Sequence, residues 1–321
     1  MKRLFFNYIF PSFVLMMSFS CKKQNMPVPL ELQKPFVSTP EYLANLRAYK
    51  KTKHQIAFGW LGGSGGDGKF ASLQKRWEGV PDSLDIVSLW GGIPTAGSPQ
   101  MAAMRSAQTD RGIKVVYVKF ADDELIAPFE KSPNGIKLLA KALADTLTKN
   151  NIDGFDIDYE PNVGGGSWTF FKVKSNMTLL LKELSAFMGP KAGTGKLLIV
   201  DGEVNYLEAA AGPLLDYAIA QAYYTTNAAG LQSRYNAIAS WCPPEKFIVT
   251  EDFEAGWKTG GSSYQDAIYG TIPSLIGMAY WQPTQGRKGG AGTYHMEYEY
   301  ANTPDYKYLR QAIQIMNPAV H

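Results

Sequence analysis

Residues 152–160 read Ile-Asp-Gly-Phe-Asp-Ile-Asp-Tyr-Glu, and this stretch decides both the fold and the chemistry of the chain. Its apolar and acidic side chains alternate with the period of two that is typical of a β-strand. One face is apolar, as expected of a strand that packs against helices, and the other carries Asp156, Asp158 and Glu160. In a parallel barrel the acidic face points into the interior and climbs toward the carboxyl-terminal rim, where active sites lie.

The sequence around this stretch repeats a short apolar run followed by a longer helical segment. The predicted strands are Gln55–Trp60, Ile86–Trp90, Lys114–Phe120, Gly154–Tyr159, Leu197–Asp201, Ala218–Tyr223, Phe247–Thr250 and Ile276–Trp281. The clearest predicted helices are Asn134–Lys149, Asn176–Phe187 and Pro304–Met316. Eight strands alternating with helices over roughly 275 residues predict an α/β fold, a single-domain (β/α)8 TIM barrel over residues 45–321. An open doubly wound sheet is the alternative.

Three carboxylates on one face of a buried strand are costly unless they serve a purpose. They lie ~7 Å apart along the strand, so repulsion and burial must raise at least one pKa. A proton is then available near neutral pH, as a general acid requires. Glu160 has the longest side chain and lies at the mouth, so it is the expected donor, with Asp158 and Asp156 below it. Two other interpretations stay open: a structural acid network, and oxygen ligands for Mg²⁺ or Ca²⁺.

The same stretch resembles the motif of glycoside hydrolase family 18, which contains chitinases and endo-β-N-acetylglucosaminidases. The motif Asp-Gly-x-Asp-x-Asp-x-Glu is complete from Asp153 and Gly154 to Glu160, on the fourth predicted strand. Within the family, the chain is similar to lipoprotein endo-β-N-acetylglucosaminidases of Bacteroidetes-type bacteria, which release glycans from glycoproteins.

The resemblance implies a retaining mechanism in which the substrate's own 2-acetamido oxygen is the nucleophile. Glu160 would protonate the glycosidic oxygen and then activate water. Asp158 would orient the acetamido N–H and stabilise the oxazolinium, while Asp156 would hold Asp158 and share its proton. The resemblance implies no cofactor and no metal.

Weaker matches extend the resemblance to other strand ends. Gln221-Ala222-Tyr223-Tyr224 resembles the family's strand-six motif, in which a tyrosine bonds the acetamido carbonyl. That role would fall on Tyr223, although the family often has Asp or Asn where this chain has Tyr224. Trp281 resembles the eighth-strand tryptophan that forms the floor of the sugar subsite.

Other polar and aromatic residues at predicted strand ends are candidates for binding sugar. Gln221 belongs to them, as do Glu251 and Asp252 at the end of the seventh strand, unless these two acids lie in a solvated loop. Trp90, at the end of the second strand, and Trp168, in the loop after Glu160, are candidate platforms for pyranose rings.

The first 44 residues are interpreted as a targeting and anchoring segment. Two basic residues precede a nearly continuous apolar run, Leu4–Phe19, which is the pattern of a signal peptide. Small residues before Cys21 resemble the lipobox of bacterial lipoproteins, so residues 1–20 are predicted to be removed and Cys21 to be lipidated. Residues 21–44 are proline-rich and predict an extended tether. The expected location is the bacterial outer membrane, on either face; an ordinary cleaved signal is the alternative.

Composition and charge restrict the partners. The net charge is +3 and no basic block occurs, so a nucleic-acid partner has no electrostatic support. The expected partners are N-linked glycans or other GlcNAc-containing glycans, and the membrane through the lipid anchor. Three functions stay open: an endoglycosidase that cuts GlcNAc-β1,4-GlcNAc in N-glycans, a chitinase, and an inactive glycan-binding surface protein. The sequence has no evident chitin-binding module, which favours the first.

Overall fold

Parallel strands close into a barrel in the computed structural model, which describes residues 38–66, 76–163 and 168–318. The strands are β1 (Ile56–Gly62), β2 (Ile86–Trp90), β3 (Lys114–Phe120), β4 (Gly154–Tyr159), β5 (Leu197–Gly202), β6 (Tyr217–Gln221), β7 (Phe247–Asp252), β8 (Ser263–Asp266), β9 (Gly270–Pro273) and β10 (Gly290–Tyr294). Strands β1 to β7 and β10 form the barrel, which β10 closes by pairing with β1 and β7. Strands β8 and β9 form a separate antiparallel hairpin. The predicted single-domain (β/α)8 barrel is confirmed.

The helices that flank the barrel are α1 (Pro40–Tyr49), α2 (Pro99–Thr109), α3 (Asp123–Ile126), α4 (Pro133–Lys149), α5 (Lys174–Leu184), α6 (Ala228–Asn236), α7 (Phe253–Gly256), α8 (Ser274–Tyr280) and α9 (Lys307–Met316). Several of them begin at a proline that directly follows a serine or threonine N-cap. Thr39, Ser98 and Ser132 each accept a hydrogen bond from the backbone N–H three residues on, which satisfies an unpaired donor of the first turn. Helix α1 therefore begins inside the segment predicted as a tether.

The barrel strands present two different faces, and this separates the core into two parts. Outward residues such as Phe155 and Ile157 of β4 pack in the layer between strands and helices. The apolar interior is smaller and consists of Phe58, Trp60, Ile86, Val116, Val118, Ile199, Ile219 and Ile248. Asp156 and Asp158 have the opposite parity to Phe155 and Ile157, so they point into this interior, as the alternation in the sequence predicts.

The prediction of an eighth strand at Ile276–Trp281 is wrong. This segment forms most of helix α8, and the strand that closes the barrel is β10. Residues 274–279 are all buried, and a short apolar run that is buried on every side has no period that separates a strand from a helix. Strand β10 was missed because it is rich in glycine. A Cβ atom on Gly292 would lie 2.1 Å from the carbonyl oxygen of Phe58 on β1, so the close pairing requires glycine.

Trp281 consequently does not lie beside the carboxylates of β4. It follows helix α8 and packs against Phe247, the first residue of β7, with ring centroids 6.3 Å apart. Lys288 fixes this end of the barrel, because its Nζ donates to Ala279 O, Trp281 O and Gln55 Oε1 at 2.7–3.0 Å. These residues precede strands or follow a helix, so Trp281 belongs to the amino-terminal end, opposite the rim predicted for the site. It is not the floor of a sugar subsite.

The predicted signal peptide, the lipidated Cys21 and the tether up to residue 37 lie outside the described residues. Within the part of the chain that the structure describes, no helix combines the length and the apolar character needed to span a bilayer.

We expect Lys288→Met to lower the free energy of unfolding by about 2 kcal/mol, because it leaves buried acceptors without a donor. Chemical denaturation followed by circular dichroism measures the change. Lys141→Met is the control, since Lys141 is exposed and pairs only with Asp145; it should change stability by less than about 0.5 kcal/mol. Equal stability of the two variants would contradict the anchoring role of Lys288.

Candidate active site

The carboxyl end of β4 brings together the acids that the sequence predicts. Asp156 is fully buried, Asp158 is 3% exposed, and Glu160 is partly exposed one residue beyond the strand. The three therefore climb from the interior to the rim. Glu160, at the mouth, is the most exposed of the three.

Asp156, the deepest of the three, is held by neutral donors from neighbouring strands. Its Oδ2 accepts hydrogen bonds from Ser88 Oγ on β2 at 2.7 Å and from Trp60 Nε1 on β1 at 3.1 Å. Burial raises the pKa of Asp156 to about 6, although these hydrogen bonds favour the ionised form. Neither Trp60 nor Ser88 was identified from the sequence; both lie on inward positions of their strands, and this parity is the signal that reveals them.

Asp158 lies between Asp156 and Glu160 and is linked to the rim. Its Oδ1 accepts a hydrogen bond from Gln221 Nε2 at 3.3 Å, and its carboxyl group is within hydrogen-bonding range of Glu160. Burial raises the pKa of Asp158 well above its ordinary value, and the charges of Glu160 and Asp156 raise it further. Burial and the neighbouring charges therefore favour the protonated form of Asp158.

A fourth carboxyl group, Asp201 at the end of β5, belongs to the same cluster. It pairs in register with Asp158, is fully buried, and accepts a hydrogen bond from Gln221 Nε2 at 2.9 Å. Burial raises its pKa well above the ordinary value, with the charges of Asp158 and Asp156 as further causes. The predicted fifth strand ends on Asp201, which was not among the predicted site residues. Its inward parity with Ile199 was the available signal.

Glu160 has the properties of a proton donor at the mouth. Burial raises its pKa, and hydrogen bonds to Gln221 and Asp158 act in the opposite direction. A carboxyl group that is partly exposed and retains its proton can protonate a leaving group and later remove a proton from water.

Gln221 and Tyr223 lie where the resemblance places them, at the end of β6. Gln221 connects Asp158 with Asp201, so its amide organises the acids as well as facing the cleft. Burial raises the pKa of Tyr223 well above its usual range, and Asp201 and Asp158 add to this effect. The Tyr223 hydroxyl thus keeps its proton, and it makes no hydrogen bond with other described side chains. It is available as a donor to a substrate.

An aromatic row crosses the rim beside the acids. Tyr294 on β10 contacts Tyr223 and Trp90, with ring centroids 6.1 Å and 5.3 Å apart. Phe120 at the end of β3 continues the row from Trp90 to Trp168, at 5.6 Å and 6.0 Å. The predicted platforms Trp90 and Trp168 are therefore part of one surface, to which Phe120 and Tyr294 are additions. Aromatic faces of this kind stack on the C–H faces of sugars.

Glu251 is not a ligand for sugar hydroxyls. It is fully buried, its Oε1 accepts from the backbone N–H groups of Tyr224 (3.0 Å) and Asp252 (2.8 Å), and its Oε2 accepts from Ser274 Oγ. Glu251 has the outward parity of Val249 on β7, which carries it away from the cleft. Its role is to hold the backbone of Tyr224, which has a φ of 58°, and so to fix the turn that carries Tyr223. Asp252 accepts a hydrogen bond from the Tyr224 hydroxyl.

Asp153 and Gly154 begin β4 at its opposite end and serve its packing. Asp153 Oδ2 accepts from Val115 N at 2.9 Å and from Gln108 Nε2 at 2.6 Å, which ties β4 to β3. A Cβ atom on Gly154 would lie 2.4 Å from Leu197 O on β5. Among the described residues, no group of three or more histidine, cysteine or acidic side chains is arranged to hold a metal ion.

A (β/α)8 barrel with a partly exposed proton donor after its fourth strand, buried acids beneath it and an aromatic rim defines the class of glycoside hydrolases. Residues 22–126 and 129–315 match the family model of glycoside hydrolase family 18, BT1044-like, so the chain belongs to this family.

Similar proteins agree with this assignment. Endo-beta-N-acetylglucosaminidase F2 of Elizabethkingia meningoseptica is 29% identical over 310 residues, and the match covers 86% of each chain. A solved structure of a BT1044 variant is 31% identical with a TM-score of 0.73, covering 87% of this chain and 93% of that one. An endo-β-N-acetylglucosaminidase of Cordyceps militaris, solved as a mutant in complex with fucosyl-N-acetylglucosamine-Asn, is 26% identical with a TM-score of 0.69, covering 88% and 98%. Chitinase structures at 13–16% identity share the fold.

The buried acids predict how stability depends on pH. Folding raises the pKa of Asp156 from 3.8 to about 6, so the folded protein holds a proton that the unfolded chain releases. The free energy of unfolding should therefore fall as pH rises through this interval. Because its side chain cannot ionise, Asp156→Asn should lose less stability over the same interval.

Denaturation midpoints at a series of pH values measure this difference. Asp145→Asn, which alters an exposed carboxylate, should follow the wild-type curve. If Asp156→Asn also runs parallel to the wild type, burial of Asp156 does not control the dependence.

Proposed function

We propose that the protein is an endo-β-N-acetylglucosaminidase that hydrolyses the GlcNAc-β1,4-GlcNAc core of N-linked glycans with retention of configuration. The observation that carries this proposal is the placement of one partly exposed acid, Glu160, above acids that are buried. Glu160 would first protonate the glycosidic oxygen and then activate the water that completes hydrolysis.

The burial of the other acids supports a nucleophile from the substrate. A retaining enzyme that uses two carboxylates needs a second one that reaches the anomeric carbon. Asp156 and Asp201 are fully buried and Asp158 is 3% exposed, so none of the three presents a free carboxylate to the anomeric carbon. The 2-acetamido oxygen of the substrate would attack instead. This requires an N-acetylated sugar at the cleaved bond.

Two side chains are placed to assist this step. Asp158 would accept the acetamido N–H and stabilise the positive charge of the oxazolinium, because it lies directly below Glu160. Tyr223 would donate a hydrogen bond from its hydroxyl group to the acetamido carbonyl oxygen. Both effects stabilise charge that develops in the transition state.

N-glycans are preferred over chitin as the substrate because of the relatives. The two named endo-β-N-acetylglucosaminidases match at 26–29% identity over most of the chain, and one was solved with a GlcNAc-Asn ligand. The chitinases share less than 20% identity.

An anchored location would suit this activity. The apolar run and the small residues before Cys21 support export as a lipoprotein, attached to the bacterial outer membrane through a lipid on Cys21. The membrane would then be a partner through that lipid, and glycoproteins near the surface would be the source of glycan.

We expect residues 22–321 to release the glycan from a glycoprotein that carries complex and high-mannose N-glycans, leaving one GlcNAc on Asn. Mass spectrometry of the glycosylated Asn measures the product. Glu160→Gln should lower kcat at least about 100-fold, because it removes the general acid. Glu124→Gln, which alters an exposed carboxylate in the short helix after β3, should retain activity.

Two other results are informative. Cleavage of chitin oligosaccharides without cleavage of the glycoprotein would make the protein a chitinase. Binding of either glycan without turnover, unchanged by Glu160→Gln, would replace the proposal with a glycan-binding protein.

We expect Cys21→Ser to move the protein from the membrane fraction to the soluble fraction of cells that express the full chain. The wild-type protein should incorporate a labelled fatty acid, and the variant should not. Cys242→Ser is the control, because Cys242 is a buried thiol in the barrel domain. A wild-type protein in the soluble fraction, without label, would refute the anchor.

A further inference from the structure

Asp156 and Asp201 each leave one carboxyl oxygen without a conventional partner. Asp156 Oδ2 and Asp201 Oδ1 accept hydrogen bonds from neutral donors. Asp156 Oδ1 and Asp201 Oδ2 are buried and meet no N–H or O–H donor of the described residues. The two carboxyl groups lie within hydrogen-bonding range of each other. Two ionised carboxylates would repel in this position, so one proton lies between them.

The surroundings decide which of the two carries this proton. Asp156 accepts two hydrogen bonds, from Trp60 and Ser88, whereas Asp201 accepts one, from Gln221. Hydrogen bonds from neutral donors stabilise the ionised form, so Asp156 is the better anion. The proton therefore resides on Asp201 Oδ2 and is donated to Asp156 Oδ1.

Among the residues that the structure describes, no basic side chain forms an ion pair with this cluster. The titratable groups that face Asp201 are Asp156 and Asp158 on β4 and Tyr223 after β6. Within the described residues, the ion pairs of lysine, arginine and histidine involve other acids. Protons must then limit the charge, one in the Asp156–Asp201 pair and one each on Asp158 and Glu160.

We propose that Asp201 is a positioning residue that supplies the proton required by Asp156 and thereby leaves the proton of Asp158 directed toward Glu160 and the substrate. In this arrangement Asp156 acts on Asp158 through its negative charge. The inference deepens the proposed function and rests on it for the kinetic part of its test. Asp201 also accepts a hydrogen bond from Gln221, so it affects the acids of β4 both directly and through Gln221.

Two variants of Asp201 in the full enzyme show whether Asp201 acts as a hydrogen-bond donor or as an ionised group. Asp201→Asn keeps an N–H for Asp156 and an oxygen for Gln221, and it cannot ionise. Asp201→Leu has a similar volume and donates nothing. We expect Asp201→Asn to retain kcat within about threefold, and Asp201→Leu to lower kcat about 100-fold with KM nearly unchanged, because the acids lose their alignment. Asp216→Asn, at the far end of the β5–β6 pair where Asp216 binds Leu198 N, is the control and should retain kcat.

Infrared difference spectroscopy tests the proton directly, without reference to any substrate. In mildly alkaline buffer, the wild type should show the C=O stretching band of protonated carboxyl groups. Asp201→Asn should lose part of this band, and Asp216→Asn should retain it. An unchanged band in Asp201→Asn, or an Asp201→Asn variant as inactive as Asp201→Leu, would overturn the proposal. If no substrate is cleaved, the proposed function fails and the infrared result alone decides the role of Asp201.

Discussion

Four carboxyl groups buried beside each other impose the constraint on which the site depends. Asp156, Asp158, Glu160 and Asp201 lie in or above the interior of the barrel, and burial raises the pKa of each. In such a place charge is tolerated only when protons, hydrogen bonds or cations compensate it. The barrel supplies protons and neutral donors. It therefore keeps acid groups in the protonated form at a pH at which exposed acids are ionised. These protonated acids are what makes acid catalysis possible at the site.

The sequence predicted the parts of the fold that depend on local pattern. The alternation on β4 placed its acids inside the barrel because side-chain direction in a strand follows from parity alone. The same logic failed at Ile276–Trp281, where the chain is buried all round and a helix and a strand require the same composition. It also failed at β10, since the glycines that permit close contact with β1 have a low strand propensity.

Parity also explains which site residues could be predicted and which could not. Asp201 shares the inward parity of Ile199, whereas Glu251, the predicted site residue, shares the outward parity of Val249. A position at the carboxyl end of a strand is enough to place a residue at the rim of the barrel. Whether the side chain enters the cleft depends on its phase relative to buried neighbours, which can be read from the sequence once the strand is known. The hydrogen bonds from Trp60 and Ser88 could not be predicted, because they depend on the register between strands.

Polar groups at the two ends of the barrel differ in how completely they are hydrogen-bonded. At the amino-terminal end, the buried Lys288 and the half-buried Asp153 meet complementary backbone and side-chain partners, so their hydrogen bonds hold strands together. At the carboxyl-terminal end, Asp156 and Asp201 meet each other, and each retains an oxygen that only a shared proton can satisfy. Polar groups whose hydrogen bonds are all formed make the structure rigid, and they have no proton left to donate to a substrate. Incomplete satisfaction costs stability but favours protonated carboxyl groups beneath Glu160, so the polar groups that hold strands together and those suited to acid catalysis lie at opposite ends of the barrel.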